Sequence, residues 1–290
     1  MSNKGLIIEE RARDIGDFLV GRLLPFRKKR MVGPFVFIDH MGPSKIGPNQ
    51  YIDIGQHPHI GLSTLTYLFE GEIRHRDSIG SDQVITPGAV NLMTAGSGVT
   101  HTERTPDSLR DGNTYNVHGF QIWIALPKEM EQMKPEFYHA EKEALPKWQQ
   151  DNANFTLIAG EAFGRKSPVP TLSPQFMVEV KATHSFTLNL SDQVKGEIGI
   201  CIVKGSIKAC ENIIAEGNML VSKIDDACKV EVSADTHLLL FGGAPLPEER
   251  HIFWNFVSSD SKLIEDAKER WVAKDFPVVE NDDSYIEMPQ

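Results

Sequence analysis

The run Ser63-Thr64-Leu65-Thr66-Tyr67-Leu68-Phe69 is rich in β-branched and aromatic residues and stops at Glu70-Gly71, a turn. This coupling of a short strand to an immediate turn recurs along the chain and limits the fold more than any other feature. Phe35-Val36-Phe37-Ile38 is apolar on both faces, as in a strand covered on both sides. Val84-Ile85-Thr86 runs into Pro87-Gly88, and Val117 to Leu126 closes at Pro127. A linker-like stretch, Glu141 to Asn154, precedes a second series: Phe176 to Val180, Phe186 to Leu190, Ile198 to Val203, and His237 to Phe241 before Gly242-Gly243. With 23 glycines and 17 prolines in 290 residues, the pattern predicts an all-β sandwich or barrel, as one large domain or two ordinary ones.

The two series read as one unit used twice. In the first, Phe69-Glu70-Gly71-Glu72-Ile73 is followed by Ile85-Thr86-Pro87-Gly88; in the second, Val203-Lys204-Gly205-Ser206-Ile207 is followed by Ile214-Ala215-Glu216-Gly217. The marker glycines are 17 residues apart in one and 12 in the other, so the copies have diverged. One helix is predicted, Ser258 to Trp271, with Leu263, Ile264, Ala267 and Trp271 on one face. Asp260 is its expected N-cap, Asp266–Arg270 its i,i+4 ion pair, and Phe276-Pro277 its stop.

The net charge of -10 repels phosphate backbones and anionic membrane surfaces, so no direct nucleic-acid or membrane partner is expected. The three cysteines, Cys201, Cys210 and Cys228, form no C-x-x-C and are expected to be reduced and mostly buried. Met1 to Val20 carries Glu9, Glu10, Arg11, Arg13, Asp14 and Asp17, which excludes a signal-peptide core there, and no apolar run approaches membrane length. The expected location is cytoplasmic.

The histidines carry the chemistry. His57-Pro58-His59 places two imidazoles at i and i+2, on one face of a strand, with Pro58 suited to an edge. His101-Thr102-Glu103 repeats that spacing with a carboxylate, after the permissive turn Gly96-Ser97-Gly98. Two antiparallel strands of this kind can close four ligands around one metal and leave octahedral positions open. The set suits Fe(II), with Mn, Ni, Cu or Zn as other occupants, and it lacks the thiolates of structural zinc. His75, between Arg74 and Arg76, reads as a polar surface or hydrogen-bonding residue, His40 as a turn contact and His118 as a strand residue. Gly96-x-Gly98 lacks the third glycine and following helix of a dinucleotide site, and the chain has no G-x-S-x-G or Walker loop.

Several stretches together resemble the pirin family. Met31-Val32-Gly33-Pro34-Phe35-Val36-Phe37-Ile38-Asp39-His40-Met41-Gly42-Pro43 is similar to its opening. His57-Pro58-His59-Ile60-Gly61, Met93-Thr94-Ala95-Gly96 and Gly98-Val99-Thr100-His101-Thr102-Glu103 are similar to its metal-binding core. Gly119-Phe120-Gln121-Ile122-Trp123 and Phe253-Trp254-Asn255-Phe256-Val257-Ser258-Ser259 resemble later landmarks. The resemblance implies two antiparallel β-barrel cupin domains (a bicupin), with iron held in the first by His57, His59, His101 and Glu103. The expected division is a metal-binding cupin over 1–140, a metal-free cupin over 141–245, and a C-terminal helix and tail over 246–290 packing back on the barrels. Ser63 stands near where many cupins carry an acidic ligand, and Glu103 looks like the substitute.

By resemblance the function is that of an iron-dependent quercetin 2,3-dioxygenase, opening a flavonol with dioxygen, with Glu103 as ligand and general base. The alternative is a non-enzymatic, metal- or redox-responsive regulator acting through a protein partner.

The repeat sets its own test. By distance from the marker glycines, the ligand positions fall in the second copy on Ser191, Gln193, Val230 and Val232, a set that cannot replace three imidazoles and a carboxylate. The chain should therefore bind one transition metal, and elemental analysis approaching two equivalents per chain would overturn the reading.

Overall fold

The computed structural model describes residues 5–14, 19–209, 211–222 and 229–289. Strands dominate, and the described residues contain one α-helix, Ser261–Val272. The chain divides into two compact units, one of residues 12–20, 38–142 and 247–290, the other of residues 1–11, 21–37 and 143–246. The first is called here the histidine unit.

Its larger sheet runs in the order Glu136–Ala140, Val90–Thr94, Leu62–Glu70, Tyr115–Ala125, Phe35–Ile46. Its smaller sheet runs Asp53–His59, Val99–Arg104, Ile73–Asp77, Asp82–Ile85. Leu68 of the larger sheet packs with Ile73 and Ile85 of the smaller in one buried cluster. The second unit repeats this order. Leu6–Glu9, Asn218–Ser222, Glu197–Lys204, His237–Gly243 and Gln175–Ala182 form its large sheet, which Ala153–Ala162 and Lys147–Gln150 extend. Phe186–Leu188, Val230–Val232, Ser206–Ala209 and Asn212–Ala215 form the small one. Ile200, Leu220, Leu240, Ile207 and Val232 meet between them in a core built from both sheets.

All named pairs are antiparallel, as expected, but the sheets face one another without closing into continuous barrels. Twisted sheets of unequal width can cover a core from two sides and still leave their edges unjoined. The marker glycines hold equivalent places: Gly71 and Gly205 have φ of +82° and +81°, where a side chain is strained. A Cβ on Gly71 would also lie 2.3 Å from the Asn116 carbonyl oxygen.

Two local expectations change. The stretch 141–154 is no plain linker, because Lys147–Gln150 pairs with Ala153–Ala162. The helix begins at Ser261, capped by the Asp260 carboxylate, which accepts from the Lys262 backbone N–H at 2.9 Å. It buries Ile264, Ala267 and Trp271, and Arg270 is engaged outside the helix rather than with Asp266. Its guanidinium donates to the Ser97 carbonyl at 3.1 Å and lies 4.3 Å from the Phe276 ring centroid, contacts that outcompete a solvated i,i+4 pair. Cys201 is a buried free thiol; Cys210 and Cys228 lie outside the described residues. No helix among the described residues is long and apolar enough to cross a membrane.

A buried ion pair anchors the segment before the helix. Arg250 Nε lies 3.2 Å from Glu131 Oε1, with both side chains almost fully covered. Glu131 also accepts from Ser258 Oγ at 2.6 Å and the Ser259 N–H at 2.8 Å, while Arg250 Nη2 donates to the Leu126 carbonyl at 2.8 Å. Removing one partner strands the other charge, so Arg250→Ala should lower unfolding free energy by about 3–5 kcal/mol. The double variant Arg250→Met/Glu131→Leu should lose far less. Urea unfolding checks both, and a loss below about 1 kcal/mol for Arg250→Ala would mean the carboxylate is solvated.

Candidate metal centre

The edge strand Asp53–His59 and its neighbour Val99–Arg104 bring the site together. His101 pairs directly with His57, and Val99 with His59, so the i,i+2 residues of both strands face one way. The ring nitrogens of His57, His59 and His101 lie within 4.8 Å of one another, and all three residues are buried. His59 Nε2 and His101 Nε2 approach to 3.1 Å, the separation expected of adjacent ligands on one ion. Trp123 meets His59 edge to face at 5.2 Å between centroids.

Two of the three rings are oriented from behind. His57 Nδ1 lies 2.9 Å from the Gly55 carbonyl, which accepts its proton and leaves Nε2 as the ligand atom. His101 Nδ1 lies 3.3 Å from His75 Nδ1, and His75 Nε2 lies 3.1 Å from Asp77 Oδ2. The consistent assignment has Asp77 accept from His75 and His75 accept from His101, which frees His101 Nε2. Asp77 Oδ1 accepts from the Ile79 and Ser81 N–H groups at 3.1 and 2.9 Å. Burial raises the Asp77 pKa, but hydrogen bonds from His75 and Ser81 outweigh it and the net shift is downward, so the carboxylate stays charged.

Glu103 lies outside the 4.8 Å cluster, although it is buried beside it. The ladder shifts between His101 and Glu103, which faces Ile54 instead of Gly55. Burial raises the Glu103 pKa, partly opposed by His75 and by the Gln121 Nε2 donor at 3.1 Å. Gln121 is itself held by Thr66, whose hydroxyl donates to Gln121 Oε1 at 2.7 Å.

The expectations for the other histidines fare differently. His75 is buried, so its reading as a hydrogen-bonding residue holds and the surface alternative fails. His40 sits on the strand Phe35–Ile46, not in a turn, with its Nε2 2.9 Å from His118 Nε2. Sequence reasoning missed His75, Asp77, Thr66 and Gln121 as supports. The available signal was spacing: His75-x-Asp77 is a third i,i+2 pair, on the strand next to His101.

The C-terminal tail ties down the outer side of the ligand strand. Gln56 Nε2 donates to the Asp282 and Ser284 carbonyls at 2.6 and 3.0 Å, and Gln56 Oε1 accepts from the Val279 N–H at 2.7 Å. The tail thus covers a sheet edge that would otherwise be open to pairing.

Burial pulls the imidazole pKa values down. His57 falls to about 4 by desolvation, opposed by the Gly55 carbonyl and aided by His75; His59 and His101 fall well below the usual value for the same first reason. The unfolded chain protonates these groups near 6.5 while the folded apo chain does not, so from about pH 6.5 down to about 4 unfolding takes up protons. Apo-protein stability should therefore fall with pH across that window, by up to about 1.4 kcal/mol per unit for each histidine. Glu103, with its raised pKa, opposes this as one group against three. Metal affinity should hold from pH 7.5 to about 6, since the ligands are already neutral, and collapse near pH 4. Urea titrations of metal-free protein and metal retention after dialysis check both; flat apo stability from pH 7 to 4.5 would contradict the burial argument.

Comparison with known proteins identifies the family. Residues 18–124 match the Pirin family signature and residues 176–277 that of the Pirin C-terminal cupin domain. A pirin-like protein of Caulobacter vibrioides is 45% identical over 92% of this chain and 93% of its own length. A Pseudomonas aeruginosa protein provisionally named quercetin 2,3-dioxygenase is 38% identical over 91% of this chain and 82% of its own. The crystal structure of quercetin 2,3-dioxygenase from Acinetobacter baumannii superposes with a TM-score of 0.89 at 33% identity, covering 99% of this chain and 95% of that one. Matched in both of its cupin halves, the chain belongs to the pirin family.

Proposed function

We propose that the histidine unit holds one Fe(II) ion on His57, His59, His101 and Glu103, and that the protein opens a flavonol with dioxygen as a quercetin 2,3-dioxygenase. The observation that carries the reading is the convergence of three neutral imidazoles beside a buried carboxylate of raised pKa. The likeness to the Acinetobacter baumannii dioxygenase along the whole chain supports it. A bound redox-active metal supplies Lewis acidity and the one-electron chemistry that dioxygen requires.

The chain's own residues do the rest. Gly55 and the Asp77–His75 pair fix the tautomers of His57 and His101, so that neutral lone pairs face inward. Glu103 accepts the proton of the flavonol 3-hydroxyl, and burial, by raising its pKa, makes the carboxylate a stronger base for that transfer. Thr66 and Gln121 aim its carboxylate.

The test is anaerobic loading with Fe(II), followed by oxygen and quercetin, with loss of the flavonol absorption band as readout. His57→Ala and His101→Ala should each cut metal affinity by more than about a hundredfold while the chain stays folded, since losing even a supporting group costs about 10–100-fold. Glu103→Gln should keep weakened metal binding and lose about 10²–10⁴-fold in turnover. Wild-type turnover in Glu103→Gln would remove the base role. No turnover in a fully loaded wild-type chain would replace the oxygenase with a binding or regulatory protein.

A further inference from the structure

The second unit keeps the frame of the histidine unit and reverses the polarity of its interior. Thr66 lies five residues before Gly71 and pairs with Asn91 on one side and Gln121 on the other. Ile200 lies five residues before Gly205 and pairs with Leu220 and Leu240. The polar row that holds Glu103 in one unit is therefore wholly aliphatic in the other. The small sheets also correspond. Glu103 pairs with His75, four residues past Gly71; four past Gly205 is Ala209, which falls opposite Val230, one step beyond the Lys208–Glu231 pair. The register thus makes Val230 the counterpart of Glu103, where glycine spacing had given Val232.

This interior opens as a cavity of about 760 Å³. Ile198, Ile200, Leu220 and Val230 form its apolar wall, each at most 8% exposed. Exposed Lys195, Lys229 and Asp192 also line it, two cations against one anion among the described residues, together with the polar side chains of Thr187, Asn189, Ser191 and Ser222. The volume lies within the range of small-molecule sites, which combine an apolar body with a few charged groups that orient the ligand.

We propose that this cavity binds an aliphatic carboxylate of medium chain length, with its chain against Ile198, Ile200 and Leu220 and its carboxylate between Lys195 and Lys229. The buried part of the wall is aliphatic, and the polar side chains of the lining are exposed or half-buried, so the body of the ligand that lies deepest is apolar. Among the described lining residues lysine is in excess, which favours an anionic head group. The site is separate from the histidine unit and does not rest on the oxygenase reading.

The test uses the full-length chain with its first metal bound and isoleucine methyl groups labelled for NMR. Hexanoate, octanoate and decanoate should shift the Ile198 and Ile200 methyls saturably, with affinity rising about fourfold per buried methylene. Lys195→Ala/Lys229→Ala should weaken octanoate about tenfold and leave octan-1-ol unchanged. Leu220→Trp should fill the cavity and abolish binding, with its melting temperature and metal content reporting whether it has folded; if it has not, the lysine variant and the chain-length series decide. Overturning results are non-saturable shifts, affinity independent of chain length, octanoate binding untouched by loss of both lysines, or shifts confined to Ile60, Ile73 and Ile85 of the histidine unit.

Discussion

Taking His57, His59 and His101 out of water together is tolerable only while all three are neutral, and much of the surrounding structure serves that condition. Burial is the largest influence on each ring and lowers its pKa. A neutral imidazole still has two tautomers, and only one presents Nε2 as a lone pair. Gly55 settles the choice for His57, and the Asp77–His75 pair settles it for His101. Asp77 can do so because two backbone N–H groups keep its own buried charge satisfied. His57 and His59 sit on an edge strand that must itself be held in place, and the tail through Gln56 supplies this from the outer face.

The two units show how little of the frame must change for chemistry to come or go. Strand order, antiparallel pairing and the left-handed turn glycine are shared. Even the ladder irregularity recurs, between His118 and Gly119 in one and opposite Leu238 in the other, between Ile202 and Lys204. What differs is the row facing the interior. Thr66 and Gln121 form a hydrogen-bonded chain to Glu103, whereas Ile200 and Leu240 join the apolar core. A buried carboxylate beside Ile200 and Leu240 would lack donors and carry the full desolvation penalty. The polar row and the carboxylate it holds are therefore present together in one unit and absent together from the other.

Much of this was legible in the sequence, because strands write themselves as period-2 patterns and ligands as i,i+2 pairs. Both H-x-H and H-x-E fell on strands that pair directly, and the turn glycines marked the repeat. The supports were not legible, for a physical reason. Arg74 and Arg76 flank His75, and alternation sends them to solvent while His75 turns inward, so the local charge gives the wrong impression of burial. Gln121 reads as one polar residue in an apolar strand until its partners on neighbouring strands are known. Leu6–Glu9 pairing with Asn218–Ser222, more than 200 residues away, is beyond any local pattern. The Asp266–Arg270 pair failed because spacing shows which residues can meet, not which of several partners an arginine prefers.

The ladder shift between His101 and Glu103 links these observations. In a regular antiparallel pair, His101 opposite His57 would put Glu103 opposite Gly55; it is opposite Ile54 instead. The extra residue on the edge strand takes Gly55 out of the ladder, and its carbonyl is free to accept from His57 Nδ1. The same shift sets Glu103 back from the imidazole cluster, toward Gln121. Glycine suits this place, because a Cβ on residue 55 would come within 3.0 Å of Ser284 Oγ in the tail that clasps the strand. One irregular step thus orients His57, separates the carboxylate from the imidazoles, and leaves room for the tail against the edge. A bulge of this kind beside a site re-aims side chains that a regular sheet would hold too evenly.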